Sequence, residues 1–254
     1  MGNKVDAMST LDTVPERVRY LSEVAPHKEL FVFYDGHQRS AYTAADVYQM
    51  AGRFATKLRQ RGFQRHDIVA NTLLNSPERV VTDLGIILAG CVAMNSQIIL
   101  ADGKDFVHAA NKSECKGVIM STAGNSPAWS LLKGDVTEEK PSFFARVANQ
   151  QLPHLQTAVL VSRATNGHGL SFLEELKSCT DEPFAEDIRA DDTVVIFSTS
   201  GTTGYSKLVP HSNHHILQMS SAMAEAARGR GTVAHPGLNT QPFYNDRLLG
   251  EFIA

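Results

Sequence analysis

The sequence predicts an α/β fold with a mostly parallel sheet, because strand-length apolar runs alternate with helix-length segments along most of the chain. One unit displays the pattern clearly. A strand is predicted at Asp67–Leu74, Ser76-Pro77-Glu78 has the residue types that begin a helix, and Gly90 lies at the end of that helix. Strands separated by helical segments of this length are typical of parallel βαβ units.

The other elements follow from periodicity and turn residues. A helix is predicted over Val14–Ala25, a hairpin over residues 30–42, and a helix with Thr43 as its N-cap that continues through Arg61. Residues 122–153 contain several Gly and Pro, which predict surface loops and one helix. The later predicted elements are strand Cys91–Ile99, helix Lys104–Lys112, strand Gly117–Ser121, strand Thr157–Ser162, helix Ser171–Lys177 and strand Thr193–Thr199.

Composition and charge exclude several classes of protein. A formal net charge of -3 and a pI near 6.4 give no electrostatic basis for binding nucleic acid. The longest nearly continuous apolar stretch, Leu84–Met94, is shorter than the roughly 20 residues that span a bilayer, so no membrane span is predicted. Cys91, Cys115 and Cys179 are odd in number and far apart, which indicates free thiols in a reducing compartment. We therefore expect a cytoplasmic enzyme or binding domain.

A segment with the chemistry of a phosphate site follows the last predicted strand. Ser198–Lys207 combines two glycines, several hydroxyl side chains and a lysine in ten residues. Gly201 and Gly204 allow the backbone to turn and to approach a ligand closely. Hydroxyl groups and exposed backbone N–H groups donate to phosphate oxygens, and Lys207 supplies a positive charge. The segment therefore predicts an anion-binding loop.

Three other interpretations of the sequence compete with this one. A solvated Ser/Thr/Gly linker is compatible with the composition alone, but linkers seldom lie between a strand and an apolar pair such as Leu208-Val209. A Walker-type loop is excluded because Ser206 precedes the lysine and Leu208 follows it. A Rossmann-type oxidoreductase is disfavoured because no GxGxxG motif follows an early strand.

Ile196–Lys207 resembles the signature of the adenylate-forming, AMP-binding superfamily, whose usual form is Ser-Gly-Thr-Thr-Gly-x-Pro-Lys-Gly. Here Ser206 replaces the proline and Leu208 replaces the last glycine. Looser similarities to the same family occur at Asn75-Ser76-Pro77-Glu78, at Val209-Pro210-His211-Ser212-Asn213 and at Gln241–Asp246. The resemblance implies that residues 14–254 are an N-terminal portion of an AMP-binding, acyl-CoA synthetase-like domain, after a disordered leader at 1–13.

The resemblance also implies a reaction. A carboxylate attacks the α-phosphate of ATP to give an acyl-adenylate, and a thiol of CoA or phosphopantetheine then takes the acyl group. The implied cofactors are ATP, Mg²⁺ and that thiol, and the implied partner is a small-molecule carboxylate. The implied cofactor-binding residues are Thr199, Ser200, Gly201, Thr202, Thr203, Gly204 and Lys207. The implied substrate-binding residues are Phe243, Tyr244 and Asn245.

Two later motifs of the family, Tyr-Gly-x-Thr-Glu and Thr-Gly-Asp, do not occur in the 254 residues. We therefore expect a truncated, catalytically incompetent N-terminal part of such an enzyme, with no catalytic residue assigned. The alternative is a non-catalytic nucleotide-binding or regulatory remnant of the family. His211, His214 and His215 are spaced to share a metal, but a polar helix start is the simpler expectation and no metal site is predicted. The sequence fixes neither the acid, nor the thiol, nor the oligomeric state.

Overall fold

A computed structural model describes residues 11–95, 103–123, 126–139, 142–161, 171–199 and 205–229. The helices are α1 Val14–Val24, α2 Ala44–Gln60, α3 Pro77–Leu88, α4 Lys104–Lys112, α5 Pro127–Leu132, α6 Phe172–Ser178 and α7 Asn213–Gly229. The strands are β1 Glu29–Asp35, β2 Gln38–Thr43, β3 Ile68–Asn71, β4 Val92–Asn95, β5 Gly117–Ser121, β6 Val136–Glu138, β7 Phe144–Val147, β8 Thr157–Val161, β9 Thr193–Thr199 and β10 Lys207–Ser212. The α/β fold predicted from the sequence is confirmed.

Eight strands form one sheet, in the order β10-β9-β4-β3-β5-β8-β7-β6. The five central strands, from β9 to β8, are parallel, and the strands at both margins are antiparallel. β1 and β2 form a separate antiparallel hairpin. Because the central strands run in one direction, all five end at the same side of the sheet, which we call the carboxyl edge. In open α/β sheets, ligands bind outside this edge.

The central strands are apolar at consecutive positions because both faces of the sheet are covered. Val195 packs in a core with α1, α2 and α3, whereas its neighbour Ile196 packs in a second core with α4 and α5. Ala93 and Met94 on β4 divide in the same way. Side chains alternate between the faces of a strand, so a parallel strand with two buried faces needs a continuous apolar run.

Local capping residues fix where several helices begin. Thr43 accepts a hydrogen bond from the Asp46 amide, and the Asp46 carboxylate accepts one from the Thr43 amide, which is a complete capping box. Ser76 caps α3, with Pro77 as its first residue. Ser171 caps α6. These three helix starts are therefore specified by sequence that is local to them. The first two are as predicted, whereas the third helix begins one residue after the predicted start at Ser171.

The interpretation of residues 122–153 as loops and one helix was wrong in part. The helix is present as α5, but the same stretch also contains β6 and β7, which extend the sheet through β8. β6 has only three residues and β7 only four, so neither displays enough alternation to predict a strand. Pairing with β8, a contact distant in sequence, is what makes β7 a strand.

Candidate functional site

The strand that leads into the predicted phosphate loop ends at the carboxyl edge, beside β4. β9 ends at Thr199, and the chain returns as β10 from Lys207. The two strands pair antiparallel, with Thr199 directly opposite Lys207. Cross-strand partners project from the same face of a sheet, so the hydroxyl of Thr199 and the ammonium of Lys207 project from one face. Both residues are exposed.

Of the predicted cofactor-binding residues, the structure therefore brings the first and the last together. Residues 200–204, which are Ser200, Gly201, Thr202, Thr203 and Gly204, lie outside the described residues. The predicted substrate-binding residues Phe243, Tyr244 and Asn245 also lie outside them. Their assignment remains a prediction.

The chain that enters β10 is held against helix α4. The Asp105 carboxylate accepts a hydrogen bond from the Ser206 amide at 2.8 Å and a second from the Ser206 hydroxyl at 2.6 Å. One turn further along α4, the His108 ring stacks on the Tyr205 ring, with centroids 4.3 Å apart and planes 12° from parallel. We call these four residues the α4 contact. Sequence reasoning assigned no role to Asp105 or His108.

A buried polar network lies where β3 and β4 end. Arg79 on α3 is 2% exposed. Its guanidinium donates to the Leu73 carbonyl and, at 2.6 Å, to Oδ1 of Asn95, the last residue of β4. Its Nε lies 3.5 Å from Oδ2 of Asp83. The side chain of Arg79 thus connects α3 to the chain at the ends of two central strands.

Asn71, the last residue of β3, completes this network. Its Nδ2 donates to the Thr82 hydroxyl at 2.9 Å and to Oδ1 of Asp83 at 2.8 Å. Burial raises the pKa of the Asp83 carboxyl, and the nearby charge of Arg79 and the hydrogen bond from Asn71 oppose that rise. We call Asn71, Arg79, Thr82, Asp83 and Asn95 the strand-end network. Within the described part of the chain, Nδ2 of Asn95 is the network's one buried donor without a partner.

The predicted histidine cluster divides between two elements. His211 lies in β10, whereas His214 and His215 lie in the first turn of α7. Nδ1 of His211 is 3.1 Å from Nδ1 of His215, and the His211 ring packs edge-on against Phe197 of β9. Among the described residues, no group of three or more His, Cys, Asp or Glu side chains is placed to hold a metal ion. The expectation of a polar helix start fits His214 and His215 but not His211.

The described helices include none that is long and apolar enough to cross a membrane. The cysteines Cys91, Cys115 and Cys179 are all free thiols, and the first two are buried. Burial is the largest cause that raises the pKa of Cys91 to about 12, and it raises that of Cys115 to about 12 as well. Thiols of this kind pack as small apolar side chains and take no part in the site.

Comparison with known proteins identifies the family of this chain. The sequence profile of the AMP-binding enzyme family matches residues 20–247. The human mitochondrial acyl-coenzyme A synthetase ACSM1 is 30% identical over 159 residues, a region that covers 63% of this chain and 24% of that protein.

Solved structures share the fold. The fatty acyl-adenylate ligase from L. pneumophila superposes with a TM-score of 0.67 at 15% identity, over 97% of this chain and 39% of that one. The fatty acyl CoA synthetase of Mycobacterium tuberculosis superposes with a TM-score of 0.62 at 23% identity, over 84% of this chain and 37% of that one. The chain thus spans well under half the length of the relatives it matches. With a profile match over most of its residues, it belongs to the AMP-binding enzyme family.

Proposed function

We propose that the protein carrying these residues activates a carboxylic acid with ATP to an acyl-adenylate and transfers the acyl group to a thiol, CoA or phosphopantetheine. The single observation behind this proposal is the β9–β10 pair. It delivers a Ser/Thr/Gly segment of the family's type to the carboxyl edge, with Thr199 and Lys207 facing the same way. A lysine ammonium and a hydroxyl on one face can both donate to phosphate oxygens.

ATP is the cofactor that these residues fit. We propose that Lys207 binds a phosphate through its charge, that Thr199 donates its hydroxyl, and that Ser200, Gly201, Thr202, Thr203 and Gly204 complete the loop. Bound ATP supplies the electrophilic α-phosphorus and the pyrophosphate leaving group. The part of the chain that the structure describes offers no three-ligand set for a metal. We propose that Mg²⁺ accompanies the phosphates of ATP, and we assign no protein ligand to it.

A small-molecule carboxylate is the proposed substrate. Phe243 and Tyr244 are aromatic and Asn245 is polar, a combination suited to the wall of a pocket for the acyl group. The family includes enzymes named for acyl, fatty acyl and anthranilate substrates, so the proposal stops at the carboxylate class. The net charge of -3 gives no support to a nucleic-acid partner.

The alternative function is nucleotide binding without turnover. This alternative concerns the 254 residues by themselves, in which the Tyr-Gly-x-Thr-Glu and Thr-Gly-Asp motifs, with the acidic side chains that the family resemblance implies for Mg²⁺ and ribose, do not occur. We propose that the 254 residues alone bind the phosphates of ATP but do not form the adenylate. We also propose a cytoplasmic protein on the basis of its free thiols, although ACSM1 is named as mitochondrial.

Two measurements test these proposals. The first is ATP binding by titration calorimetry, for the chain and for Lys207→Ala. We expect the Kd of the variant to rise by about tenfold or more, the effect of losing one charge-assisted contact. Lys112→Ala is the matched control, since Lys112 is an exposed lysine at the far end of α4, away from the carboxyl edge. Equal affinities for the chain and for Lys207→Ala would remove the support for a phosphate site.

The second measurement is carboxylate-dependent ATP–pyrophosphate exchange with a broad panel of acids. We expect no exchange from the 254 residues and measurable exchange from the chain extended by any reading frame that continues it. Exchange by the 254 residues themselves would contradict their proposed incompetence. ATP binding without exchange in the extended protein would favour the non-catalytic alternative.

A further inference from the structure

We propose that Asp105 and His108 on helix α4 are positioning residues for Lys207, and that they act by holding the two residues before it, Tyr205 and Ser206. The inference rests on the proposed phosphate-binding function of Lys207. It assigns a role to α4 that neither the family motif nor the spacing of residues in the sequence indicates.

The Asp105 carboxylate uses both of its oxygens on one residue. Oδ1 accepts from the Ser206 backbone amide at 2.8 Å, and Oδ2 accepts from the Ser206 hydroxyl at 2.6 Å. The partners are 101 residues apart in the chain, so the contact is tertiary rather than a local turn. A carboxylate that binds the backbone and the side chain of one residue fixes both the path of the chain and its rotation at that point.

The carboxylate of Asp105 takes no part in capping its own helix. In α1, α2 and α6, the acidic residue at the third helical position reaches back to the N-cap backbone and completes a capping box. In α4, the N-cap is Gly103, in the left-handed conformation with φ at 63°, and no side chain caps the helix. Asp105 is the second residue of α4, one position before that of a capping-box acid, and it binds Ser206.

His108 adds a second point of attachment on the same face of α4. Its ring is nearly parallel to the Tyr205 ring, at 4.3 Å between centroids, although Tyr205 is half exposed. Residues three apart on a helix lie side by side, so Asp105 and His108 present a polar and an aromatic contact to two consecutive residues. Lys207 follows immediately and is itself held by the register with Thr199.

The identity of residue 206 explains why such a contact is useful here. The family's usual loop has proline at this position, which fixes φ but has no N–H to donate. Ser206 has the amide and the hydroxyl that Asp105 binds, but its backbone is freer in the unbound chain. We infer that the hydrogen bonds to Asp105 provide the rigidity that proline provides elsewhere. Lys207 can then bind a phosphate without the entropic cost of ordering the two residues before it.

The direction of the change in affinity on removing Asp105 separates a positioning role from a purely electrostatic one. Asp105 is an anion near a proposed anion site, so a purely electrostatic role predicts that its removal strengthens the binding of pyrophosphate. The positioning role predicts the opposite: Asp105→Ala should raise the Kd of pyrophosphate by about tenfold, because about one residue of backbone would then have to be ordered on binding. Asp105→Asn keeps one acceptor for Ser206, so its effect should be smaller than that of Asp105→Ala.

The titration is run with inorganic pyrophosphate without Mg²⁺ and repeated with it, since an Asp105 that merely held the metal would matter only in the second case. Ser206→Pro removes both the amide N–H and the hydroxyl that Asp105 binds but restores a fixed φ, and we expect it to bind within about threefold of the parent chain. Lys112→Ala, on the same helix, is the control and should bind as the parent does. Stronger or unchanged binding by Asp105→Ala would overturn the proposal.

Hydrogen exchange at the Ser206 amide gives a readout that does not depend on nucleotide. We expect this amide to exchange at least tenfold faster in Asp105→Ala than in the parent chain, and His108→Ala to have a smaller effect of the same sign. If the parent chain binds neither ATP nor pyrophosphate, the proposed function fails, and exchange alone then decides whether α4 holds Ser206. An unchanged exchange rate in Asp105→Ala would contradict the contact itself.

Discussion

Replacing Arg79 with methionine tests whether the strand-end network stabilises the carboxyl edge. Methionine has a comparable length and apolar stem but no donors. The substitution removes the hydrogen bonds to the Leu73 carbonyl and to Asn95, together with the ion pair with Asp83. It leaves the Asp83 carboxylate buried without its cation, and the Asn95 oxygen without its donor.

The expected loss in the free energy of unfolding follows from the burial of both side chains of the ion pair. The side chains of Arg79 and Asp83 are 2% and 8% exposed, so water replaces little of what is lost. Removing one partner of a buried ion pair typically costs about 3–5 kcal/mol, because the other charge stays behind uncompensated. Removing both is less costly, so Arg79→Met combined with Asp83→Asn should recover a large part of that loss.

The free energy of unfolding of Arg79→Met should depend on pH in a definite direction. Burial already raises the pKa of Asp83, and loss of the Arg79 charge raises it further. A carboxyl whose folded pKa lies above its unfolded value of about 3.9 favours folding when it is protonated. The free energy of unfolding of Arg79→Met should therefore fall as the pH rises through the window between the two values. Its deficit relative to the parent chain should be larger at pH 8 than at pH 5.

Urea unfolding followed by circular dichroism measures these differences at each pH. The parent chain, both single variants and the double variant form a complete cycle. A deficit below about 1 kcal/mol for Arg79→Met would refute the reasoning, because a cost so small is typical of exposed ion pairs. A deficit that grows as the pH is lowered would refute the assignment of the effect to Asp83.

Three further predictions concern the rest of the fold. Gly85→Ala should destabilise the chain by about 1–3 kcal/mol in the same urea titration, because a Cβ there would lie 2.8 Å from the backbone oxygen of Ala51. Gly134→Ala is the control, and it should be neutral or slightly stabilising because a Cβ at that position would lie in open space. Thr43→Ala should cost about 1 kcal/mol by loss of the capping box, and an unchanged midpoint would contradict that role. With a thiol reagent at pH 8, Cys115 should react only as fast as the chain unfolds, because the thiol is buried and its pKa is raised to about 12. Rapid labelling of Cys115 in the native chain would contradict its burial.

Local signals account for the parts of the fold that the sequence predicted well. The bounds of α4 and β5 coincide with the predicted ranges, and the helix starts after Thr43 and Ser76 are as predicted. Each depends on residues within one turn of the chain, where capping and periodicity operate. The strand before the proposed phosphate loop was also predicted to its last residue, Thr199, because its β-branched run is continuous.

Contacts between distant residues account for what the sequence did not predict. Arg79 follows a helix start and has the appearance of a surface residue, yet the fold buries it between α3 and the ends of two strands. Asp105 and Ser206 are 101 residues apart, and only the docking of α4 brings them together. No periodicity in the sequence reports which long-range partner a polar residue will meet. His211 was misplaced for a related reason, since pairing with β9 draws it into a strand.

The carboxyl edge is thus supported in two physically different ways, and the difference can be measured. The strand-end network is buried, so its loss changes the free energy of unfolding. The α4 contact is partly exposed and holds the approach to Lys207, so its loss should change ligand affinity and local hydrogen exchange more than global stability. Arg79→Met should then shift the urea midpoint, whereas Asp105→Ala should shift the Kd of pyrophosphate. In the proposed phosphate site, the strand-end network would hold the ends of β3 and β4 and the α4 contact would hold the chain before Lys207, both before a phosphate binds. Binding by preorganised charge requires such an arrangement.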